Sequence, residues 1–344
     1  MSQPGTNARK HITRALAACF AAGMALLPPV LWETARGADG RQDQGNGDTH
    51  VSLTLDNDFF AGYDQHYTNG FQIAFSVNRA TLPEAIRSLP PFRWSAEPQF
   101  TFAVGQRIYT PNDKSRAVPD PLDRPYGGWL YALADVRTKT GPAVDSVQGS
   151  VGIIGPASFA EQTQNGYHAV IGSAQAQGWD SQLDDKLALL LGYERMWPKL
   201  MKSTVGGLDV DFTPRAGATV GNVYTYANAG GVIRLGRNLP DDFSATNISL
   251  GPPRDGYRPS QSGPFGWYAW FGTDARLVGW NAFLETPGEG PGIKRKPLGL
   301  DLQLGGVVVW SNARVGFTFV RRSKEFESQP KADNFGQLSV SFVL

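Results

Sequence analysis

From Asp48 onward the chain is a succession of short segments whose apolar residues fall at every second position, and that period limits the possible folds more than any other feature. Val51, Leu53 and Leu55 alternate with Ser52, Thr54 and Asp56, and Phe71, Ile73 and Phe75 with Gln72, Ala74 and Ser76. Leu208, Val210 and Phe212 alternate with Asp209, Asp211 and Thr213, and Val315, Phe317 and Phe319 with Gly316 and Thr318. Leu338, Val340, Phe342 and Leu344 are set against Gln337, Ser339 and Ser341. Successive side chains of a strand point to opposite faces, so each segment carries one apolar face and one polar or small face. Reading every such segment gives twelve strands, near 50–57, 69–78, 99–109, 127–139, 144–154, 185–197, 206–219, 222–236, 265–280, 298–311, 313–323 and 335–344.

An even number of strands of about ten residues each is the pattern of a transmembrane antiparallel β-barrel, with the apolar face toward lipid and the polar face toward the lumen. The class read here is therefore all-β. A soluble β-sandwich or lipocalin-like barrel is the alternative, with the apolar face as core. Two features favour the membrane: an alternating strand runs to Leu344, and the polar faces carry Asp209, Asp211, Arg234, Asp274, Arg276 and Arg314. Forty glycines and 11% aromatic residues suit a turn-rich β protein. Trp129, Tyr131, Trp197, Tyr224, Tyr226, Trp267, Tyr268, Trp270, Trp280 and Trp310 lie near strand ends or in aromatic-rich strands, and some are expected in interfacial girdles.

Charge gives little direction, with 32 basic against 31 acidic residues and no basic block to suggest nucleic acid. The N-terminus says more. Arg9, Lys10 and Arg14 precede the apolar run Ala15–Leu31, and small and polar residues follow, the order of an export signal. Pro28 and Pro29 interrupt the run, which falls short of the ~20 apolar residues of a spanning helix. The expected organisation is a signal peptide over 1–38 and a single barrel domain over 49–344. Cys19 is the only cysteine, so removal of the signal leaves neither a disulfide scaffold nor a thiol nucleophile.

Pro-rich connections are expected at 79–98 and 110–125 and a longer one at 240–264, with long loops on one side of the barrel and short turns on the other. The stretch 155–184 differs in kind. Pro156 suits a first helical turn, Ala157 to Gln164 favour helix, and Asn165-Gly166 is expected to end it in an extracellular loop. Gln164 and His168, four apart, share a face only if the helix persists past Gly166. By itself His168 reads more readily as a packing or surface histidine than as a functional one. Asp56-Asn57-Asp58 reads as turn chemistry at a strand end or as hard oxygen ligands of the kind calcium takes; strict alternation separates Asn57 from its neighbours.

Taken together, "NDFFAGYDQHYTNGFQIAF", "GQRIYTP", "DRPYGGWLY" and "GPASFAEQTQNGYH" occur in this order in the outer-membrane lipid A 3′-O-deacylases, and "QGWDSQL" is similar to a later stretch of that family. The resemblance is strongest over about residues 51–184. It implies a twelve-stranded barrel in the bacterial outer membrane, acting as a monomer, with its site against the outer wall near the extracellular leaflet. A histidine there activates water to hydrolyse the 3′-linked acyl ester of lipid A, and a calcium ion stabilises the oxyanion. By position in these motifs, His168 matches the histidine, Gln164 a glutamine one turn earlier, Asn57 and Asp58 the Asn-Asp pair ending the first strand, and Thr68 a hydroxyl residue on the second. Lys114, in the loop after "IYTP", is the nearest counterpart of a functional lysine.

The chemistry is coherent without the analogy. Neutral imidazole accepts a proton from water near pH 7, and a bound cation stabilises charge on a carbonyl oxygen. No G-x-S-x-G elbow occurs, which favours water over serine as nucleophile, although Ser158 and Ser173 lie close in sequence. One departure matters: members of the family can carry a glutamate six residues after the histidine, and here that position is Ala174, with Glu161 or Asp180 as conceivable substitutes. Arg124 and Tyr126 of "DRPYGGW" read better as ties between a loop and the rim than as catalytic groups. The competing functions are an outer-membrane phospholipase using Ser-His-Asn, and a non-enzymatic small barrel or porin.

Overall fold

The computed structural model describes residues 49–58, 66–78, 98–240, 265–284, 293–310 and 312–344. The expected signal peptide lies outside them, as do Asp64 and the side chains of His66 and Thr68. The strands are β1 (His50–Asn57), β2 (His66–Asn78), β3 (Gln99–Thr110), β4 (Gly127–Thr140), β5 (Ala143–Ile154), β6 (Lys186–Met196), β7 (Met201–Val205), β8 (Leu208–Gly221), β9 (Tyr224–Arg237), β10 (Phe265–Asn281), β11 (Leu298–Trp310), β12 (Ala313–Arg322) and β13 (Asp333–Val343). Sequence neighbours pair antiparallel except β6 and β7, and β1 pairs with β13. The circle closes on β8, whose second half pairs with β6 and whose first half pairs with β7.

Because β6 and β7 share one row against β8, the thirteen strand segments form a closed wall of twelve. The sequence period shows twelve runs but misses β7 as a separate piece. The break spans Trp197–Leu200, where Pro198 offers no backbone N–H and Lys199 adopts φ 52°. Closure pairs every backbone ladder around the ring, the condition a sheet must meet to sit in hydrocarbon. Among the described residues no helix is long and apolar enough to cross a membrane, which leaves open a crossing by strands.

The faces are inverted relative to a soluble barrel. Phe102, Val104, Val151, Leu189, Leu191, Ile233, Phe271, Leu304, Phe317 and Phe342 point outward and are exposed, while Ser52, Thr54, Gln72, Thr101, Gln148, Gln303 and Ser341 are buried inside. Five of the six charged residues read from the polar faces, Asp211, Arg234, Asp274, Arg276 and Arg314, are buried in the lumen; Asp209, near the β7–β8 hairpin, is exposed instead. Asp274, Asp301 and Arg322 stand in one row across β10, β11 and β12. Arg276 donates to Asp274 (2.8 Å) and through both Nη atoms to Asp301 (2.9 and 2.5 Å), and Arg322 Nη2 donates to Asp301 at 2.9 Å.

The aromatic residues divide by the parity of the strand. Trp267, Trp280 and Trp310 face outward as a girdle requires. Trp129, Tyr131, Tyr224, Tyr226, Tyr268 and Trp270 instead share the inward parity and are buried. With Tyr67, Tyr109, Phe283 and Phe335 the first four form a hydrophobic cluster inside the wall. Tyr131 reaches across to donate to Gln72 at 3.0 Å, and its hydroxyl passes where a Cβ on Gly105 would stand, 2.4 Å away. Glycine at that strand position makes room for the plug.

Short turns at 141–142 and 206–207 lie at the same end of the barrel as both ends of the described chain. The opposite rim carries the segments 111–126, 155–185 and 323–332. By the rule that barrel loops are long outside and short toward the periplasm, this loop-rich rim is extracellular. The expected segregation of long from short connections holds only in part. β2–β3 and β9–β10 are joined at the short-turn end, across 79–97 and 241–264.

Candidate active site

At the loop-rich rim β1 delivers Asp56, Asn57 and Asp58. Asp56 keeps the strand's inward parity and is fixed there, accepting from Tyr67 Oη at 2.5 Å and Gln337 Nε2 at 2.6 Å. Asp58 follows just past the strand end, where strict alternation stops, and both Asn57 (5% exposed) and Asp58 (2%) are buried. Thr68 falls in the register shift between Tyr67 and Asn69, next to the row in which Asn69 pairs with Asn57. Its side chain lies outside the described residues.

Lys114 lies in the loop after β3. Burial disfavours its ammonium and pulls its pKa down to about 8, partly opposed by the negative charge of Asp58. Its main-chain carbonyl accepts Gln177 N–H at 2.9 Å, which ties this loop to the segment after the helix.

The helix is built in two steps. Pro156–Ser158 form a 3₁₀ turn and Phe159 takes a left-handed conformation (φ 58°); α1 then runs Ala160–Ile171. α1 therefore continues through Asn165-Gly166, against the sequence expectation. A mid-helix glycine costs about 1 kcal/mol relative to alanine. Burial of Ala160, Gln164 and His168 on the face opposite supplies the tertiary stabilisation that propensity does not register. The helix stops at Gly172, which caps it with φ 73°. Its N-terminal end lies so close to β4 that a Cβ on Gly128 would sit 2.1 Å from Ser158 Oγ and 2.2 Å from the Ala160 Cβ.

With the helix intact, Gln164 (2% exposed) and His168 (4%) share its buried face. Gln164 Oε1 accepts Trp179 Nε1–H at 3.0 Å, leaving its buried Nε2 without a partner among the described residues. Trp179, from the "QGWDSQL" stretch, packs on Tyr126 at 4.9 Å between centroids. His168 Nδ1 lies 2.5 Å from the Ala174 carbonyl oxygen. A carbonyl can only accept, so Nδ1 carries the proton and Nε2 presents its lone pair. Burial lowers the His168 pKa below the ordinary value of 6.5, the Ala174 hydrogen bond opposes this, and the charge of Lys114 reinforces it.

The rim thus brings Asn57, Asp58, Lys114, Gln164 and His168 into one sector, with the Asp58 charge acting on Lys114 and the Lys114 charge on His168. The hydrogen-bond partner of His168 Nδ1 is the Ala174 carbonyl, and among the described residues neither Glu161 nor Asp180 acts on its charge. Arg124 and Tyr126 are rim ties, as expected: Arg124 Nη2 donates to Glu325 at 2.5 Å, and the Tyr126 carbonyl accepts Leu183 N–H at 2.9 Å. The residues the sequence did not point to are Trp179 and Asn165, whose Oδ1 accepts Ala176 N–H at 3.1 Å. For Trp179 the signal lay in the motif itself, a tryptophan after glycine in a polar loop; for Asn165 none was available.

The fold has counterparts among known proteins. The LpxR from Salmonella typhimurium superposes with a TM-score of 0.70 at 17% identity, over 86% of this chain and all of that one. The translocator domain of the autotransporter NalP from Neisseria meningitidis reaches a TM-score of 0.36 at 12% identity, over 96% of each chain. No curated protein matches the chain significantly. The sequence model of a family described as outer membrane protein LpxR matches residues 17–344, taking in every strand and the whole rim sector just described. The chain belongs to the LpxR family of outer membrane proteins.

Proposed function

We propose that the protein is a lipid A 3′-O-deacylase of the outer leaflet, a carboxylic ester hydrolase whose base is His168. The observation that carries this reading is the hydrogen bond from His168 Nδ1–H to Ala174, which leaves Nε2 as the basic atom in the buried rim sector. Nε2 takes a proton from water, and the water oxygen forms a bond to the ester carbonyl carbon. Collapse of the tetrahedral intermediate breaks the bond between that carbon and the sugar 3′ oxygen. The imidazolium returns its proton to the departing alkoxide, giving free fatty acid and a 3′ hydroxyl. The unpartnered Gln164 amide and the Lys114 ammonium are the described groups able to meet negative charge on the carbonyl oxygen.

The donor chemistry at the end of β1 fits a hard cation. Asn57 offers an amide oxygen and Asp58 a carboxylate, both buried at the rim. No group of three or more His, Cys, Asp or Glu side chains gathers as a metal site among the described residues, and carbonyl, water or substrate oxygens are hard donors that could add to this pair. Asn57 and Asp58 would hold a calcium ion, which when bound polarises the ester carbonyl.

The competing readings are less well supported. Ser158 is fully buried and its hydroxyl donates to the Gly155 carbonyl at 2.5 Å, which does not suit the nucleophile of a phospholipase. The aromatic cluster and ion pairs that fill the lumen do not suit a porin. The test is mass spectrometry of lipid A from cells expressing the protein or its His168→Ala variant. Loss of one 3′ acyl group only with intact His168 is expected, abolished by EGTA and restored by calcium. Deacylation by the variant would remove His168 as base, and full activity in EGTA would remove the metal.

A further inference from the structure

We propose that Asn165 is a positioning residue: through Ala176 it holds the segment 172–177 so that the Ala174 carbonyl fixes His168 in the Nδ1–H form. The kinetic part of this inference rests on the role of His168 proposed above; the structural part does not.

The segment after α1 is a clasp closed at three points. Ser173 N–H donates to the His168 carbonyl at 2.9 Å, Ala176 N–H to Asn165 Oδ1 at 3.1 Å, and Gln177 N–H to the Lys114 carbonyl at 2.9 Å. Ala176 is buried in a small cluster with Ile108, Tyr126, Ala160 and Trp179, whereas Ser173, Ala174 and Gln175 are exposed. An exposed three-residue arch has no packing of its own to set the direction of its carbonyls. Its two ends set that direction, and the Ala176 end is tied to α1 by the Asn165 side chain.

The consequence for His168 is a choice between tautomers. Neutral imidazole can carry its proton on either nitrogen, and the hydrogen bond made by one decides which is basic. With the Ala174 oxygen 2.5 Å from Nδ1, that nitrogen is the donor and Nε2 is free to accept. If the arch turns away, the bias is lost and part of the population presents N–H where a base is needed. Asn165 is one residue from Gln164 and three from His168, so the helix that carries the reacting groups also carries the anchor of the clasp. The pairing also accounts for an asparagine in mid-helix, a position its side chain ordinarily disfavours by competing for local backbone.

The test reads the tautomer directly. The full-length protein, refolded in detergent with ¹⁵N-labelled histidine, carries His11, His50, His66 and His168; a His168→Gln sample assigns the His168 signals. In the wild type, above its titration, His168 is expected to show a protonated Nδ1 and a pyridine-type Nε2. Asn165→Ala is expected to lose that pattern and to lower kcat at least ~10-fold with KM little changed, the order that loss of an orienting partner costs. Asn165→Asp, which keeps an acceptor oxygen at the same place, is expected to restore both. Ala176→Pro, which deletes the donor, reproduces the defect without touching α1 and serves if Asn165→Ala does not fold. A wild-type His168 protonated on Nε2, or an Nδ1–H pattern that survives both Asn165→Ala and Ala176→Pro, overturns the proposal. A tautomer that follows Asn165 in a protein that leaves lipid A intact upholds the clasp and removes the deacylase reading.

Discussion

His168 is placed where its proton affinity is pulled in two directions, and the balance sets a pH dependence. Burial and the Lys114 charge lower its pKa, and the Ala174 carbonyl opposes them without reversing the outcome. A base must be deprotonated to act, so kcat should rise with pH and level off, with its acid inflection below the ordinary 6.5 of histidine. A rate profile in mixed micelles of substrate and detergent checks this; an inflection at or above the ordinary value would mean that the reacting form is not a buried neutral imidazole. As a candidate this residue was legible in the sequence through its motif and its four-residue spacing from Gln164. Its partner was not. A main-chain carbonyl leaves no side-chain signature, so Ala174 reads as a missing carboxylate until the backbone of the arch is seen.

Among elements, the twelve wall strands were legible because a period of two survives in the sequence whatever the strands pair with. Which face an aromatic residue takes depends on the phase of that period, and Trp129 and Tyr131 share the phase of the buried Asp135 and Arg137 rather than that of a lipid girdle. The persistence of α1 through Asn165-Gly166 was hidden for a different reason: local propensity predicts a stop, and the packing that overrides it comes from Trp179 and from β4, both outside the helix's own sequence. Two substitutions separate these contributions. Gly128→Val places a side chain where Ser158 and Ala160 now stand, and α1 must move. Activity should fall at least ~10-fold, as misplaced catalytic groups require, while heat-modifiable migration shows the barrel still folded. Full activity in that variant would mean that the seating of α1 on β4 is unimportant. Gly166→Ala meets no atom within 4 Å. It should stabilise the helix by about 0.5–1 kcal/mol, seen as slower amide exchange over residues 160–171, with activity retained.

At the scale of the whole molecule, the barrel is an outer-membrane wall around a filled interior, and the filling is itself charged. Asp301 receives hydrogen bonds from both Arg276 and Arg322 with no water-exposed surface of its own, so it joins three adjacent strands along the inner face of the wall. Such a carboxylate is worth little against an apolar replacement of the entire group, but removing it alone takes from Arg322 the carboxylate it donates to and leaves Arg276 with Asp274 only. Asp301→Ala should therefore destabilise the barrel by about 3–5 kcal/mol in urea unfolding from lipid vesicles, whereas a charge change at the exposed Asp209 should be nearly neutral. The same filling predicts the electrical behaviour. Tyr109, Trp129, Tyr131, Tyr224 and Phe283 lie packed inside the wall below the extracellular rim, leaving ions to pass a layer of aromatic rings and then a layer of paired charges. The wild-type protein inserted in planar bilayers should show no stepwise conductance, and Asp301→Ala, by loosening the ion-paired layer while leaving the aromatic one, should add at most brief openings. Steady channels in the wild type would mean that the interior rearranges in a membrane and that the filled lumen is not what keeps the chemistry confined to the outer rim.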